Sequence, residues 1–193
     1  MKTYMDNRGR YEKPSVKIKS KFITEQDKIE LAEKFGIEYR ILRTVMKVES
    51  AGSGFSKDGK IKIQFEPYHF RKYTGIRIAN GVENQPKEYK AYLKAVQIDI
   101  EAAMLSTSWG LGQIMGFNHK TAGYKTVQEM VQIFIQSEYY QLEGMLNFIK
   151  SHKKMFVALI SKEWAVFAYY YNGKYYKKWD YDIKLERAYG QMA

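Results

Sequence analysis

The sequence predicts a mainly α-helical domain that contains one small β-element. Two observations predict the helices: apolar residues recur at helical spacing along most of the chain, and helix-capping residues bracket these stretches. One short run, residues 61–65, instead alternates apolar and polar side chains, which is typical of a strand with one buried face. With 193 residues, 45% of them hydrophobic, the chain is long enough for one domain with a complete core.

The first two helices have clear local signals. Thr24 is a good N-cap, Glu25 and Asp27 suit the first turn, and Gly36 suits the position just after the last turn. The second helix ends at the glycine-rich segment 50–54, which places Glu49 in its last turn. The apolar face that this helix buries consists of Ile37, Ile41, Leu42, Val45, Met46 and Val48.

The elements that follow are predicted in order along the chain. The turn pair Asp58-Gly59 precedes the strand at 61–65, and Pro67 begins the next helix, because proline suits a first helical turn. A loop is predicted over 77–87, and further helices over 89–105, 108–115, 127–136, 138–150, 155–160, 163–171 and 181–189. No internal repeat or linker divides the chain further. It consists of a basic N-terminal arm, 1–21, and one domain, 22–193.

Charge and composition limit the function. The net charge is +11, and the arm carries seven basic residues against two acidic ones, so we expect polyanionic partners. Charge alone does not choose between nucleic acid and anionic cell-envelope polymers. The chain has no cysteine, and its three histidines, at 69, 119 and 152, are too scattered for a metal site. We therefore expect no metal and no cofactor.

Three short segments carry the strongest functional signal. They are Glu49-Ser50, then Ser-Trp-Gly-Leu-Gly-Gln at 108–113, then Tyr-Tyr-Asn-Gly at 170–173. In this order they resemble the signature of the lysozyme-like superfamily, whose members cleave the glycan strands of bacterial peptidoglycan. The flanking segments 48–55, 64–67, 108–118 and 181–185 more narrowly resemble the N-acetylmuramidase domain of phage endolysins.

This resemblance covers residues 22–193 and implies a fold, a reaction and a place of action. It implies a lysozyme-like fold with the β-element beside the catalytic helix. The implied reaction cleaves the β-1,4 bond between N-acetylmuramic acid and N-acetylglucosamine. The protein would then act as a monomer in the periplasm or on the cell wall. Residues 1–20 lack the apolar region of a signal peptide, so we expect synthesis in the cytoplasm and release by another route.

Glu49 is the candidate general acid. Cleavage of a glycosidic bond needs a carboxyl group that stays protonated near neutral pH. A carboxyl at the end of an otherwise apolar helix is desolvated, and desolvation raises its pKa. The alternative is an exposed glutamate, which would meet an unfavourable helix dipole at this position.

The residues alone leave the identity of the second carboxylate open. Glu66, at the end of the predicted strand, is the candidate for a base or for a group that stabilises positive charge. Asp58 and Asp182 are weaker candidates. Glu66 would otherwise cap the helix at Pro67, and the enzyme would work with one essential glutamate.

Five further residues are candidates for substrate binding. In the segment 108–113, Gly110 would let a sugar approach the backbone, and Gln113 offers both a donor and an acceptor. By resemblance this segment, including Ser108, lines the cleft; the alternative is a glycine-rich packing segment. Also by resemblance, Tyr171 approaches the catalytic glutamate, with Asn172 beside it.

Two rival functions remain open. A lytic transglycosylase has the same order of segments but forms a 1,6-anhydro product; Gly112 and the position of Gly173 directly after Asn172 depart from its pattern. A basic binding module is the other rival, yet the chain has no helix-turn-helix, RNP or zinc pattern. We therefore expect peptidoglycan as the substrate, anionic envelope polymers as partners of the arm, and no nucleic acid.

Overall fold

The computed structural model describes residues 19–49, 53–79 and 84–192, together with the short segments 4–5 and 11–12. Within this part of the chain lie ten α-helices and one three-stranded antiparallel sheet, so the predicted mainly α fold with a small β-element is confirmed. The helices are α1 Glu25–Phe35, α2 Tyr39–Glu49, α3 Pro67–Thr74, α4 Gln85–Val96, α5 Ile100–Leu105, α6 Val127–Phe134, α7 Glu138–Ser151, α8 Lys153–Ile160, α9 Trp164–Asn172 and α10 Tyr181–Gln191.

The strands are β1 Tyr4–Met5, β2 Tyr11–Glu12, β3 Ile63–Phe65, β4 Thr107–Trp109 and β5 Ile114–Met115. Strands β1 and β2 pair antiparallel with each other, and the second sheet has the order β3-β4-β5. Two 3-10 helices, Gly116–Asn118 and Tyr176–Trp179, complete the regular structure.

The caps predicted for the first helix are confirmed. The Thr24 hydroxyl accepts a hydrogen bond from the Asp27 amide at 3.1 Å, and the Asp27 carboxylate accepts one from the Thr24 amide at 3.0 Å. This reciprocal pair satisfies two amide donors that the first turn leaves free. Gly36 ends the helix with a φ of +68°, the left-handed conformation that glycine adopts readily.

The end of the arm contacts the domain. The Lys19 ammonium lies 2.8 Å from Asp27 and 2.7 Å from Glu30. The carbonyl of Lys21 accepts a hydrogen bond from the amide of Glu138 at 2.9 Å. Residues 19–21 thus pack on the helices, although the sequence places them in the arm. The division into arm and domain stays a prediction, because most of 1–18 lies outside the described residues.

The predicted helix over 108–115 is wrong. This segment forms β4, a tight turn and β5, with Ser108 paired to Gln64 on one side and to Met115 on the other. Gly110 and Gln113 have positive φ values, +68° and +46°, which reverse the chain between the two strands. The partner strand β3 lies about forty residues earlier in the sequence, so no local pattern predicts that it pairs with β4.

The single helix predicted over 89–105 is also wrong. The structure has two helices, α4 and α5, separated by three residues. Asp99 begins the second one, since its carboxylate accepts a hydrogen bond from the Ala102 amide at 2.8 Å. Helix α4 begins within the predicted loop, where the Asn84 side chain caps it by accepting from the Lys87 amide at 3.1 Å.

Side chains of α4 cover the free edge of β3. The Gln85 amide accepts from the Ile63 N–H at 2.9 Å and donates to the Ile63 carbonyl at 2.8 Å. The buried Glu88 carboxylate accepts from the Phe65 N–H at 2.8 Å. The backbone groups that a fourth strand would have paired are therefore satisfied by a helix.

Helix α7 runs through the core. Its buried residues Leu142, Met145, Leu146 and Ile149 are at most 1% exposed. The sheet packs on one side of the core, and α2, α9 and α10 pack together on another. No helix in the described ranges is long and apolar enough to cross a membrane.

Candidate active site

A cleft of about 260 Å³ lies where α2, the sheet and α9 meet. Four of the seven predicted site residues line it: Glu49, Gln113, Tyr171 and Asn172. They come from three distant parts of the sequence, and the fold brings them together. Ser108, Gly110 and Glu66 do not line the cleft but contact its surroundings.

Glu49 is the last residue of α2, and its carboxyl group is largely buried. Burial raises the pKa of this carboxyl from 4.5 to about 7, because the charged form loses its hydration. Two neighbours act in the opposite direction: the Asn172 amide donates to Oε1 at 3.2 Å, and the positive charge of Lys184 favours the carboxylate. Burial outweighs both, so a protonated Glu49 persists near neutral pH. Ser50, its neighbour in the sequence signature, lies outside the described residues.

Tyr171 holds the turn between β4 and β5. Its hydroxyl donates to the Gly112 carbonyl at 2.8 Å, and its ring stacks on Phe167 with centroids 5.4 Å apart and an interplanar angle of 19°. Burial raises the pKa of Tyr171 well above its usual value, and the negative charge of Glu49 raises it further. The phenol is therefore neutral, and its hydroxyl proton is used in the hydrogen bond to the Gly112 carbonyl.

The glycines of this turn allow it to pack against α7. A Cβ atom at Gly110 would lie 2.5 Å from the Gln141 side-chain oxygen, and one at Gly112 would lie 2.9 Å from the Met145 side chain. The same Gln141 oxygen accepts a hydrogen bond from the Leu111 amide at 2.7 Å. For Gly110 the geometry agrees with the packing alternative, and its contact with substrate stays a prediction.

Gln113 is held in place by its own turn. Its amide nitrogen donates to the Gly110 carbonyl at 2.7 Å, and its amide oxygen accepts from the Ser108 hydroxyl at 2.9 Å. One amide N–H and one oxygen lone pair stay available to a ligand. Ser108 is buried, and its hydrogen bond to the Gln113 amide oxygen holds that side chain in its orientation.

Glu66 does not cap the helix that follows it. It occupies the N-cap position of α3 without a side-chain cap hydrogen bond. Its carboxylate instead accepts from the Gln64 amide at 2.8 Å, and Gln64 lines the cleft. Two residues apart in extended chain, these side chains lie on the same face of the sheet. Burial raises the pKa of Glu66, and the nearby Glu88 charge adds to this rise.

The weaker acidic candidates lie elsewhere. Asp58 sits in an exposed turn, where hydrogen bonds from Ser56 and Lys60 lower its pKa to about 2. It borders a separate hollow of about 580 Å³ between this turn and α4. Asp182 is in the first turn of α10 and does not line the cleft. Across the described ranges, no cluster of three histidine or acidic side chains could hold a metal ion.

Sequence reasoning missed several residues of the site. Gln64, Asn118, Phe148 and Tyr181 also line the cleft. Tyr181 and Glu49 line the same cleft, and the pKa of Tyr181 is raised by burial and further by the negative charge of Glu49. For Tyr181 a signal existed, since it begins one of the matched flanking segments. Gln64 and Asn118 also lie in matched flanking segments, at 64–67 and 108–118. Phe148 had no such signal, because it looks like an ordinary apolar residue of its helix.

Glu138 is a further missed residue, and it holds the chain that follows the candidate acid. Its carboxylate is buried and accepts from the Gly54 amide and the Ser53 hydroxyl, both at 2.7 Å. The other oxygen accepts from the Ile23 amide at 3.0 Å. Helix α7 thus fixes the chain that follows Glu49 through Glu138, and the turn between β4 and β5 through Gln141.

Comparisons with known proteins agree with this geometry. The model of the N-acetylmuramidase family matches residues 38–193. The chain is also similar to the crystal structure of the Burkholderia AP3 phage endolysin, with 34% identity and a TM-score of 0.82, over 90% of this chain and 71% of that one. No curated protein matches at a significant level. The expected likeness to phage endolysins is confirmed. The chain therefore belongs to the N-acetylmuramidase family and is a peptidoglycan hydrolase that acts on the bacterial cell wall.

Proposed function

We propose that the protein cleaves the β-1,4 bond between N-acetylmuramic acid and N-acetylglucosamine, with Glu49 as the general acid. The largely buried carboxyl of Glu49 in the cleft, with its pKa raised to about 7, carries this proposal. An ordinary glutamate has lost its proton at neutral pH. With a pKa of about 7, roughly half of the protein molecules still carry the proton on this group. The site thus has a proton to give under the conditions of cell-wall lysis.

The proton transfer follows from the contacts of the carboxyl group. Asn172 donates to Oε1, which leaves Oε2 to carry the proton towards the glycosidic oxygen. As this oxygen takes the proton, its bond to the anomeric carbon breaks, and positive charge develops on the sugar ring. Water then attacks the anomeric carbon and loses a proton. A well-placed general acid accelerates such a step by roughly 10²–10⁴-fold.

Glu66 supplies the second carboxylate in this proposal. It shares a sheet face with Gln64, which lines the cleft, and Gln64 donates to it at 2.8 Å. This hydrogen bond favours the charged form, which would stabilise positive charge on the sugar or accept the proton of water. Gln113 and Asn118 offer further polar atoms in the cleft to N-acetyl and hydroxyl groups.

Hydrolysis is preferred over the transglycosylase reaction. Transglycosylases of this superfamily resemble the chain in segment order, but commonly carry methionine where this chain has Gly112. Here the Met145 side chain fills the adjoining space and would lie 2.9 Å from a Cβ atom at this position. The two reactions differ in their products, because hydrolysis adds one water and the intramolecular reaction does not.

Digestion of purified peptidoglycan tests the proposal directly. Mass spectrometry should find fragments with reducing ends, and borohydride reduction should convert muramic acid, not glucosamine, to its alcohol. Anhydro ends would establish the transglycosylase reaction, and reduced glucosamine would establish cleavage of the other glycosidic bond.

A pair of variants tests the role of Glu49. Glu49→Gln should lose nearly all activity, whereas Glu33→Gln, which removes an exposed carboxylate from α1, should keep it. Near-normal activity of the first variant would refute the assignment of the acid.

A further inference from the structure

The segment between Asn172 and Tyr181 borders the cleft, because these two residues line it and the segment joins them. We call residues 173–180 the rim segment. At its start, Gly173 has a φ of +80° and ends α9 directly after Asn172. At its end, Asp180 has a φ of +53° and turns the chain into α10. Because both ends of these eight residues lie at the cleft, the segment can extend no more than about 13 Å from it.

The rim segment has a fixed conformation. Tyr176 is only 9% exposed and meets the Tyr169 ring edge-on, with centroids 6.4 Å apart. The Tyr176 amide donates to the Gly173 carbonyl at 3.1 Å, and the Lys178 amide donates to the Tyr175 carbonyl at 2.9 Å. The segment is therefore organised before any ligand arrives, which lowers the entropic cost of binding.

Two aromatic rings of the rim segment face solvent. Tyr175 is 68% exposed and Trp179 is 58% exposed, although burial is favourable for rings of this size. The face of an aromatic ring carries partial negative charge, which suits the C–H groups on the flat side of a sugar. Exposed aromatic groups beside a cleft indicate a binding surface more than they indicate a packing defect.

The rim segment is also basic. It contains Lys174, Lys177 and Lys178 against Asp180 alone. None of the three lysines forms an ion pair with another residue in the described ranges, and two of them lie over their aromatic neighbours. The Lys174 ammonium is 4.9 Å from the Tyr175 ring centroid and that of Lys178 is 5.4 Å from the Trp179 ring centroid. Their charges are thus available to an anionic ligand.

We propose that the rim segment is a subsite for the peptide-bearing part of the glycan strand. The rings of Tyr175 and Trp179 stack on a sugar outside the cleft, and Lys174, Lys177 and Lys178 bind carboxylates of the stem peptide on that sugar. This inference rests on the proposed cleavage of peptidoglycan. It adds a separate site that recognises the stem peptide, whereas cleavage in the cleft involves only the glycan.

Two substrates separate the two parts of the subsite. One is peptidoglycan with intact stem peptides, and the other is the same glycan after an amidase has removed them. Replacing Lys174, Lys177 and Lys178 together by glutamine should raise KM for the first substrate by roughly tenfold, since each exposed ion pair contributes a few-fold at most. KM for the peptide-free glycan should change little. The control replaces three exposed lysines away from the cleft, Lys90, Lys94 and Lys125, and loses the same charge.

The aromatic part has its own variant. Replacing Tyr175 and Trp179 together by alanine should raise KM for both substrates by roughly tenfold and leave kcat within twofold, because stacking outside the cleft acts on binding alone. Tyr73→Ala, which removes an aromatic side chain that is 50% exposed on α3, is the control and should leave KM unchanged. Circular dichroism establishes that each variant is folded.

The outcomes are distinct. If the lysine variant raised KM equally for both substrates, or no more than its control, the lysines would act only through general charge and the peptide subsite would be refuted. Unchanged KM for the aromatic variant would refute the stacking. If the unmodified enzyme cleaved neither substrate, the proposed function itself would fail, independently of the rim segment.

Discussion

Burial of the Glu49 carboxyl should make the protein less stable as the pH rises. The pKa of the group is 4.5 when exposed and about 7 in the fold, so the folded state holds the proton more tightly than the unfolded state. The free energy of unfolding is therefore highest, as far as this group is concerned, below pH 4.5. It falls as the pH rises from 4.5 through 7, and above that it stays at the lower value. This change in pKa corresponds to about 3 kcal/mol, because one pKa unit is about 1.4 kcal/mol, and partial exposure reduces it to ~2 kcal/mol.

Glu49→Gln should remove this loss, because the amide fills the same space without a charge. We expect the variant to be inactive yet more stable than the parent at pH 8, by ~2 kcal/mol or roughly 5 °C in Tm. At pH 4.5 the two proteins should unfold within about 1 kcal/mol of each other. The measurement is urea-induced unfolding at both pH values, with Glu33→Gln as the control for loss of one surface carboxylate. Equal stability of parent and variant at pH 8 would refute the argument that burial raises the pKa.

Four further outcomes are expected. Lys184→Gln removes a charge that favours ionised Glu49, so the alkaline limb of the kcat/KM profile should move to higher pH; an unchanged or lower limb would contradict this. Gly110→Ala should destabilise the fold by about 2 kcal/mol or more and lower activity, because φ is +68° and a Cβ atom would meet a side chain at 2.5 Å; unfolding curves measure this. Glu66→Gln should lower kcat more than it raises KM, and normal wall lysis would show that one carboxylate suffices. Deletion of residues 1–18 should leave activity on soluble glycan fragments unchanged and lower activity on permeabilised cells, most at low salt. Equal losses on the two substrates would contradict the view that these residues act only by binding the cell surface.

The elements that the sequence predicted well have local causes. Helix α1 lies between the capping residues Thr24 and Gly36, and both act through hydrogen bonds within a few residues of themselves. Helix α2 has a continuous apolar face and ends at Glu49, as its pattern indicates. Such signals survive folding because tertiary contacts reinforce them.

The errors have non-local causes. The segment that forms β4 and β5 contains Leu111 and Ile114, whose spacing suits a helix, and it becomes sheet because β3 pairs with it from a distance. The positive φ of Gln113 gave no warning, since a non-glycine residue rarely adopts this conformation. The two glycines of the turn were a signal for a sharp reversal, and they could have been weighed against the apolar spacing.

The same distinction applies to the site. Glu49, Tyr171 and Asn172 belong to short segments that can be recognised in the sequence, and they do meet in one cleft. Glu138 and Gln141 look like surface residues of an amphipathic helix, yet they are buried and bind the chain after Glu49 and the β4–β5 turn. Their roles depend on which backbone amides the fold places next to them, and the pattern of residues along the sequence does not contain this information.

The side chains with which α4 covers β3 have a consequence for motion. Three strands of two or three residues form too small a sheet to be stable alone, and here the amides of Ile63 and Phe65 depend on Gln85 and Glu88. Fraying of α4 would release these amides together, so the helix and the wall of the cleft open as one cooperative unit. Amide hydrogen exchange at these two positions should then report the opening of a helix that touches no substrate. Residues distant from the chemistry would in this way set how often the cleft loses its shape.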